Sequence, residues 1–203
     1  MPTPIHDILF SDAVRKTQTA FGSRDRIAGL EARSHWRSEL SEEQARFIEG
    51  RDSFYLGTAS LAGRPYIQHR GGPPGFIRVE SHTSLWFPDF VGNRQYITVG
   101  NLSENDQAFL FFMDYPNRRR LKLWGRAAVH AVADFPLESV ALPETVRVER
   151  IIRFSIEALD ENCRQHIQPR YTEGEQSSEL QQAHQEIARL QARIKQLEEL
   201  THE

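Results

Sequence analysis

SFYLGTASLAGRPYIQHR, residues 53–70, decides how the middle of this chain is read. Two strand-like runs, SFYLGTAS and RPYIQHR, flank the short glycine-containing link LAG, the pattern of a β-hairpin. Further strand signals follow. FIRVES and SLWFP extend the pattern, and RRRLKLWGRAAVHA alternates apolar with polar residues. TVRVERIIRFSIEAL adds β-branched residues to the alternation, as strands favour. AFLFFM is an unbroken apolar run, short enough for a strand buried on both faces. Only residues 93–105, NRQYITVGNLSEN, interrupt the series, with a short helical spacing. Strands this closely spaced, with few helices between them, predict a mainly β, α+β protein built on an antiparallel barrel.

The flanks differ in texture. Residues 1–50 read as a helical segment packing on the barrel. Ile5, Ile8, Leu9, Ala13 and Phe21 recur near helical intervals. Ser41 and Gln44 form a capping-box pattern, and Gly50 is placed to end that helix. Residues 51–171 carry the barrel. Residues 172–203 read as a polar linker, YTEGEQSSE, with Ser178 and Gln181 as a second capping box, and then a heptad helix. Leu180, Ala183, Ile187, Leu190, Ile194, Leu197 and Thr201 occupy successive a and d positions without a skip. Isoleucine at a with leucine at d favours two parallel strands. The pattern also allows one amphipathic helix lying on its own barrel.

Composition narrows the function. The 203 residues suffice for one domain with a core plus an appendage. A net charge of −3 supplies no global field for nucleic acid, so any phosphate binding is local. A mean hydropathy of −0.56 and the absence of a long apolar run argue against a membrane span. The single cysteine, Cys163, excludes an intrachain disulfide framework and suits a reducing compartment. MPTPIHDILFSDAVRK lacks the layout of a secretory signal, which makes the expected location cytoplasmic. No pair of histidines has metal spacing, so no metal is expected.

Basic and amide residues gather beside unusually bare backbone. His69 and Arg70 precede GGPPG; Asn93, Arg94, Gln95 and Tyr96 open the short helical stretch, with Asn101 further along; Arg118, Arg119 and Arg120 follow a YPN turn. Arginine forks and helix starts bind phosphate, while Gly71, Gly72 and Gly75 would let backbone approach a flat ring. Prolines hold such a loop in shape. The same glycines also suit a plain wide loop. The residues match what an aromatic phosphate requires.

GTASLAGRPYIQHRGGPPGFIRV, LWFPDFVGNRQYITVGNLSEN and FLFFMDYPNRRRLKLWGRA closely resemble the pyridoxamine 5′-phosphate oxidase-like FMN-binding proteins, over roughly residues 40–170. They look most like the bacterial branch of oxidase-related flavoproteins. The resemblance implies a split β-barrel homodimer with FMN at the subunit interface. It places the His69–Arg70–Gly71 corner along the flavin, with Gly72 in the following loop. Arg94 and Gln95 would hold the phosphate or ring edge, with Tyr96 and Asn101 beside them, and one of Arg118 and Arg119 would reach the phosphate. NCRQHIQPRY resembles that branch's Asn-Cys-Pro-Gln-His-Ile segment, which brings Asn162, Gln165, His166 and Ile167 to the same pocket; Arg164 stands where the branch has proline. The Ser-Arg-Lys phosphate signature of the vitamin B6 oxidases is replaced here by GNRQYITVGN, so the resemblance carries FMN but not pyridoxamine phosphate as substrate.

The expected function is an FMN-dependent oxidoreductase that passes hydride or electrons between small molecules, with no catalytic base assigned. A non-catalytic redox sensor or cofactor carrier, and a haem-binding split barrel, are the competing readings.

Overall fold

The computed structural model describes residues 4–33, 36–162 and 165–201. It divides into two units, Met1–Asp114 with Arg119–Arg164, and Tyr115–Arg118 with Gln165–Glu203.

The first unit begins with short helices α1 (Ile5–Leu9), α2 (Asp12–Ala20) and α3 (Arg24–Ala32). Ser11 caps α2, its hydroxyl accepting the Val14 N–H. Helix α4 (Glu42–Glu49) has the full capping box: the Ser41 hydroxyl accepts the Gln44 N–H at 3.2 Å and the Gln44 amide accepts the Ser41 N–H at 3.0 Å. Gly50 closes the helix as its C-cap.

Seven strands follow: β1 (Ser53–Ala59), β2 (Pro65–Gly71), β3 (Arg78–Ser81), β4 (Ser84–Phe90), β5 (Gln107–Asp114), β6 (Arg119–His130) and β7 (Val148–Asn162). Helix α5 (Ile97–Glu104) lies between β4 and β5. The order is β2-β1-β5-β6-β7-β4-β3 and every pairing is antiparallel, a split-barrel-like α+β sheet whose edges are β2 and β3. The hairpin of β1 and β2 pairs Ser53 with Gly71 through to Ala59 with Pro65.

Alternation explains the core. Phe54 and Leu56 of β1, Leu110 and Phe112 of β5, and Leu121 and Leu123 of β6 point inward and are fully buried beside Phe76, Phe87 and Phe154. The Phe54 ring stacks on Phe112 at 5.1 Å and meets Phe87 edge-on at 4.9 Å, geometries that add to simple burial.

The structure departs from two expectations. AFLFFM is not buried on both faces: β5 alternates buried with half-buried positions, leaving Phe109, Phe111 and Met113 partly open. Run length alone does not tell a doubly covered strand from one with an aromatic outer face. The doubly buried strand is β4, because Trp86 packs under Phe135 of the segment between β6 and β7 while Phe87 enters the core. The proposed linker is also displaced. In the second unit the helix α6 runs Glu173–Thr201, so Ser178 and Gln181 lie inside it rather than capping it. Pro169 is the last residue that forbids helix, and the Thr172 carbonyl already accepts the Gln176 N–H at 3.0 Å. Glu173, an acidic residue, then sits in the first turn, where the helix dipole favours it.

The rest of the second unit is a turn and a short connection. Arg118 has φ 52° and donates its N–H to the Tyr115 carbonyl, while Arg170 lies over the Tyr115 ring at 5.0 Å. Gln165 and His166 form an exposed turn, His166 with φ 63°. Cys163 and Arg164 lie outside the described residues. Among the described residues no helix is long and apolar enough to cross a membrane.

Candidate functional site

An open cleft of about 140 Å³ lies where β2, β4 and the start of α5 meet. Tyr66, Gln68 and Arg70 line it from alternate positions of β2, Asp89 and Phe90 from the end of β4, residues 92–99 from the connection into α5, and Glu149 from β7.

Arg70 is the centre of its electrostatics. One guanidinium nitrogen donates to Asp89 Oδ1, and the two side chains are only 12% and 9% exposed. Its Nε is buried without a hydrogen-bond partner among the described residues. An unsatisfied buried donor on a cation is costly, and the residue that carries it lines the cleft. Behind the pair, Arg150 reaches Asp89 Oδ2 at 3.5 Å and Glu149 Oε2 at 2.8 Å, and its guanidinium lies 4.9 Å over the Tyr96 ring. The Tyr96 hydroxyl donates to Glu149 Oε1 at 2.9 Å. Arg70, Asp89, Arg150, Glu149 and Tyr96 therefore form one continuous chain of charge and hydrogen bonds, held on three strands and a loop.

The loop itself is strained. Arg94 and Tyr96, neither a glycine, have φ of 58° and 53°. Left-handed backbone costs of order 1–3 kcal/mol per residue and persists where the surroundings enforce it, often at a working site. Asn93 does not open the helix; its side-chain Oδ1 accepts the Gln95 N–H at 3.1 Å, and α5 starts only at Ile97 after left-handed Tyr96. Three side-chain bonds pin α5 to the hairpin: Thr98 to Gln68 at 2.8 Å, Asn101 to Thr58 at 3.0 Å, and Asn105 to the Ala59 carbonyl at 3.2 Å. Arg94 and Gln95 are left exposed, with their side chains at the cleft.

The structure thus brings Arg70, Arg94, Gln95 and Tyr96 together. His69 faces the other side of β2, edge-on to Tyr55 at 5.7 Å. Asn101 supports α5 from behind through Thr58. The glycine loop serves the chain's own packing: the Gly72 N–H donates to the Asp52 carbonyl and the Gly75 N–H to the Glu49 carbonyl, as a plain wide loop would have it. A Cβ on Gly72 would sit 2.6 Å from the Phe76 ring, and Gly75 needs its φ of 88°. A Cβ on Gly71 would be less crowded, 3.1 Å from His69 Cε1 and 3.5 Å from the Asp52 carbonyl.

Arg119 is committed elsewhere. It bonds Glu161 Oε1 at 2.5 Å and Glu43 Oε1 at 2.9 Å, and lies 4.7 Å over the Phe47 ring. The Glu161 hydrogen bond raises the Arg119 guanidinium above its ordinary value. For Glu161, burial pushes upward, but the hydrogen bonds from Arg119 and Gln44 outweigh it and hold the carboxyl below 4.5. A depressed carboxylate stabilises the fold above its unfolded value and loses that contribution as pH falls through the folded one. The melting temperature gap between the parent and Glu161→Gln should therefore be widest at neutral pH and shrink below pH 4.5. A gap that does not change with pH would remove Glu161 as an ionised partner.

Sequence reading missed Asp89, Glu149 and Gln68. A signal existed for the first: a lone carboxylate in SLWFPDF, a run otherwise apolar, demands a cationic partner once buried.

An antiparallel sheet that packs a short helix over its first hairpin, with an arginine-lined cleft at their junction, defines a protein of the split-barrel class. The chain belongs to the pyridoxamine 5′-phosphate oxidase family, whose profile matches residues 40–161. No curated protein matches the sequence. Solved structures with a similar fold include a Clostridium acetobutylicum protein related to general stress protein 26 of B. subtilis, of the pyridoxinephosphate oxidase family (18% identity, 62% of this chain and 88% of that one, TM-score 0.43). Others are an FMN-binding protein from Syntrophomonas wolfei (11% identity, 60% and 85% covered, TM-score 0.41) and HutZ, the haem storage protein from Vibrio cholerae (14% identity, 60% and 94% covered, TM-score 0.39).

Proposed function

We propose that this protein binds FMN with its phosphate in the β2–β4–α5 cleft, and that a homodimer of it works as an FMN-dependent oxidoreductase on small molecules. The observation that carries the reading is Arg70, which lines that cleft and keeps a buried Nε with no hydrogen-bond partner among the described residues. A phosphate has spare acceptor oxygens and matches the arginine fork, so it would satisfy that donor. Arg94 would add a second cation from the rim, and the Asn93 and Gln95 amides neutral donors. The lining fits this group: the cations Arg70, Arg94 and the Arg150 behind them outnumber the carboxylates Asp89 and Glu149.

A dimer is argued from size and surface. Ligand sites usually enclose about 300–1,000 Å³; one chain supplies about 140 Å³. The outer face of the sheet, on the side of β2 away from Gln68 and Arg70, carries Tyr55, Ile67, Phe109, Phe111 and Trp124, with Ile67 70% exposed. An aromatic face of this kind is typical of interaction surfaces and supports its being covered by a second copy. Bound flavin would supply the redox chemistry. The chain's part is to grip the phosphate, hold Arg70 through Asp89, and fix Tyr96 through Glu149 and Arg150.

The test is reconstitution. Protein mixed with FMN should retain a visible flavin band after gel filtration as a dimer, and reduced nicotinamide nucleotide should bleach it anaerobically. A Soret band retained with haem, and none with FMN, would replace this reading by haem binding; flavin retained without bleaching by any donor would favour the sensor or carrier. Arg94→Ala should weaken FMN binding by roughly 1.5–3 kcal/mol, or about 10- to 150-fold in Kd, as expected for one charged hydrogen bond. Its melting temperature should barely move, because Arg94 is exposed. Unchanged affinity would take Arg94 out of the site.

A further inference from the structure

We infer that α6 pairs in parallel with α6 of a second copy as a two-stranded coiled coil, an interaction that does not rest on the FMN reading. The helix spans 29 residues, about 43 Å at 1.5 Å per residue. Its apolar residues fall on one heptad seam, and Leu180, Ile187, Leu190 and Ile194 are 50–59% exposed in the single chain. Large aliphatic side chains left half open at every described a and d position except Ala183 are unusual on a surface helix.

The occupant follows from the rest of the helix. A membrane surface is a poor fit, because the polar face is glutamine-rich rather than cationic and the seam carries no aromatic residue. A second copy fits the seam and its borders. Isoleucine at a with leucine at d selects two parallel strands. In that register each g position meets the e position five residues on. In sequence register the g position of Arg193 is matched with the e position of Glu198, that of Glu186 with Gln191 and that of Glu179 with His184, so the heptad sets no like charges against each other. Within one chain Arg193 donates to the neutral Gln196 and Glu186 binds Arg189 along the helix, arrangements that leave the seam itself unoccupied by charge. The seam is also narrow, flanked on both sides by polar residues, as a two-stranded contact requires and a helix sunk into a wider apolar bed does not.

Cross-linking in the full-length protein tests the pairing. With the only cysteine removed as Cys163→Ser, Ala183→Cys occupies a d position that faces its own copy in a parallel coil alone. Mild oxidation should convert most of the protein to a disulfide-linked dimer, with or without FMN, whereas Gln185→Cys on the outer face should stay uncross-linked. Adding Ile187→Lys and Ile194→Lys to Ala183→Cys should abolish the link while FMN retention is unchanged. That separates loss of the coil from failure of the flavin reading. Folding is checked by circular dichroism. Ala183→Cys with Cys163 retained, its cross-links mapped by peptide mass spectrometry, serves if Cys163→Ser does not fold. Folded protein that gives no 183–183 link would overturn the proposal. So would a link that forms only when Ala183→Cys is mixed with Ile194→Cys, the signature of antiparallel helices.

Discussion

Arg70→Ala is expected to cost both the fold and the cofactor. Arg70 and Asp89 form a nearly buried pair, and removing one partner of such a pair typically costs about 3–5 kcal/mol because the other charge is stranded. Asp89 keeps Arg150 at 3.5 Å, which places the expected loss near the lower end, about 3 kcal/mol. For a chain of this size that corresponds to a melting temperature lowered by roughly 6–12 °C. FMN retention should fall further than in Arg94→Ala, because the cation, its unpaired Nε and the orientation of the Arg150–Glu149–Tyr96 chain change together. Arg70→Lys separates the two effects. A lysine keeps a charge for Asp89 and should recover part of the stability, but it lacks the planar fork and should not restore FMN affinity. Arg70→Lys that binds FMN like the parent would show that the cleft reads charge alone. Arg70→Ala with parental stability and affinity would remove the centre of the proposed site.

Gly125→Ala should be the most damaging single methyl in the sheet. Gly125 lies at a β-bulge where Trp124 pairs with Ala158 but Gly125 pairs with Ile156. A Cβ there would stand 2.0 Å from the Ser155 carbonyl oxygen and 2.9 Å from the Phe154 ring. The first neighbour is backbone and cannot rotate away; the second is fully buried in the core. Ordinary overpacking costs about 1–3 kcal/mol, and this contact should exceed it, at 4 kcal/mol or more. Thermal melts and soluble yield measure it. Gly100→Ala is the paired control. It sits within α5 with nothing within 4 Å of its Cβ, so it should stabilise by up to about 1 kcal/mol. Equal melting temperatures for the two variants would mean that the β6–β7 register is wrong.

What the sequence made legible was local. The hairpin, the Ser41–Gln44 capping box and the sheet-forming runs declare themselves within a few residues, through turn chemistry and periodicity. Pairings across the chain did not. Arg119 looks in sequence like a phosphate ligand beside Arg118, yet it is consumed by Glu43 and Glu161, carboxylates far away along the chain. Asp89 and Glu149 carry no motif, and only the sheet order brings them behind Arg70 and Tyr96. The glycines after Arg70 looked like a cradle, although Gly72 is there to admit the Phe76 ring. The start of α6 was misplaced for a related reason: a polar stretch can be linker or helix, and composition does not distinguish them.

Strand β7 has a consequence for biosynthesis. It is the last of the described strands to be made, and it pairs on one edge with β6 and on the other with β4, joining Leu85 to Phe154. Until it leaves the ribosome, β4 has only the short β3 beside it, and Asp89 has no Arg150 to lean on. Nascent chains halted before Val148 should therefore expose aromatic surface and need chaperone protection, since closing so distant a pairing is slow. The cleft would then mature as a late, single event, when the final strand slots between two halves that wait for it.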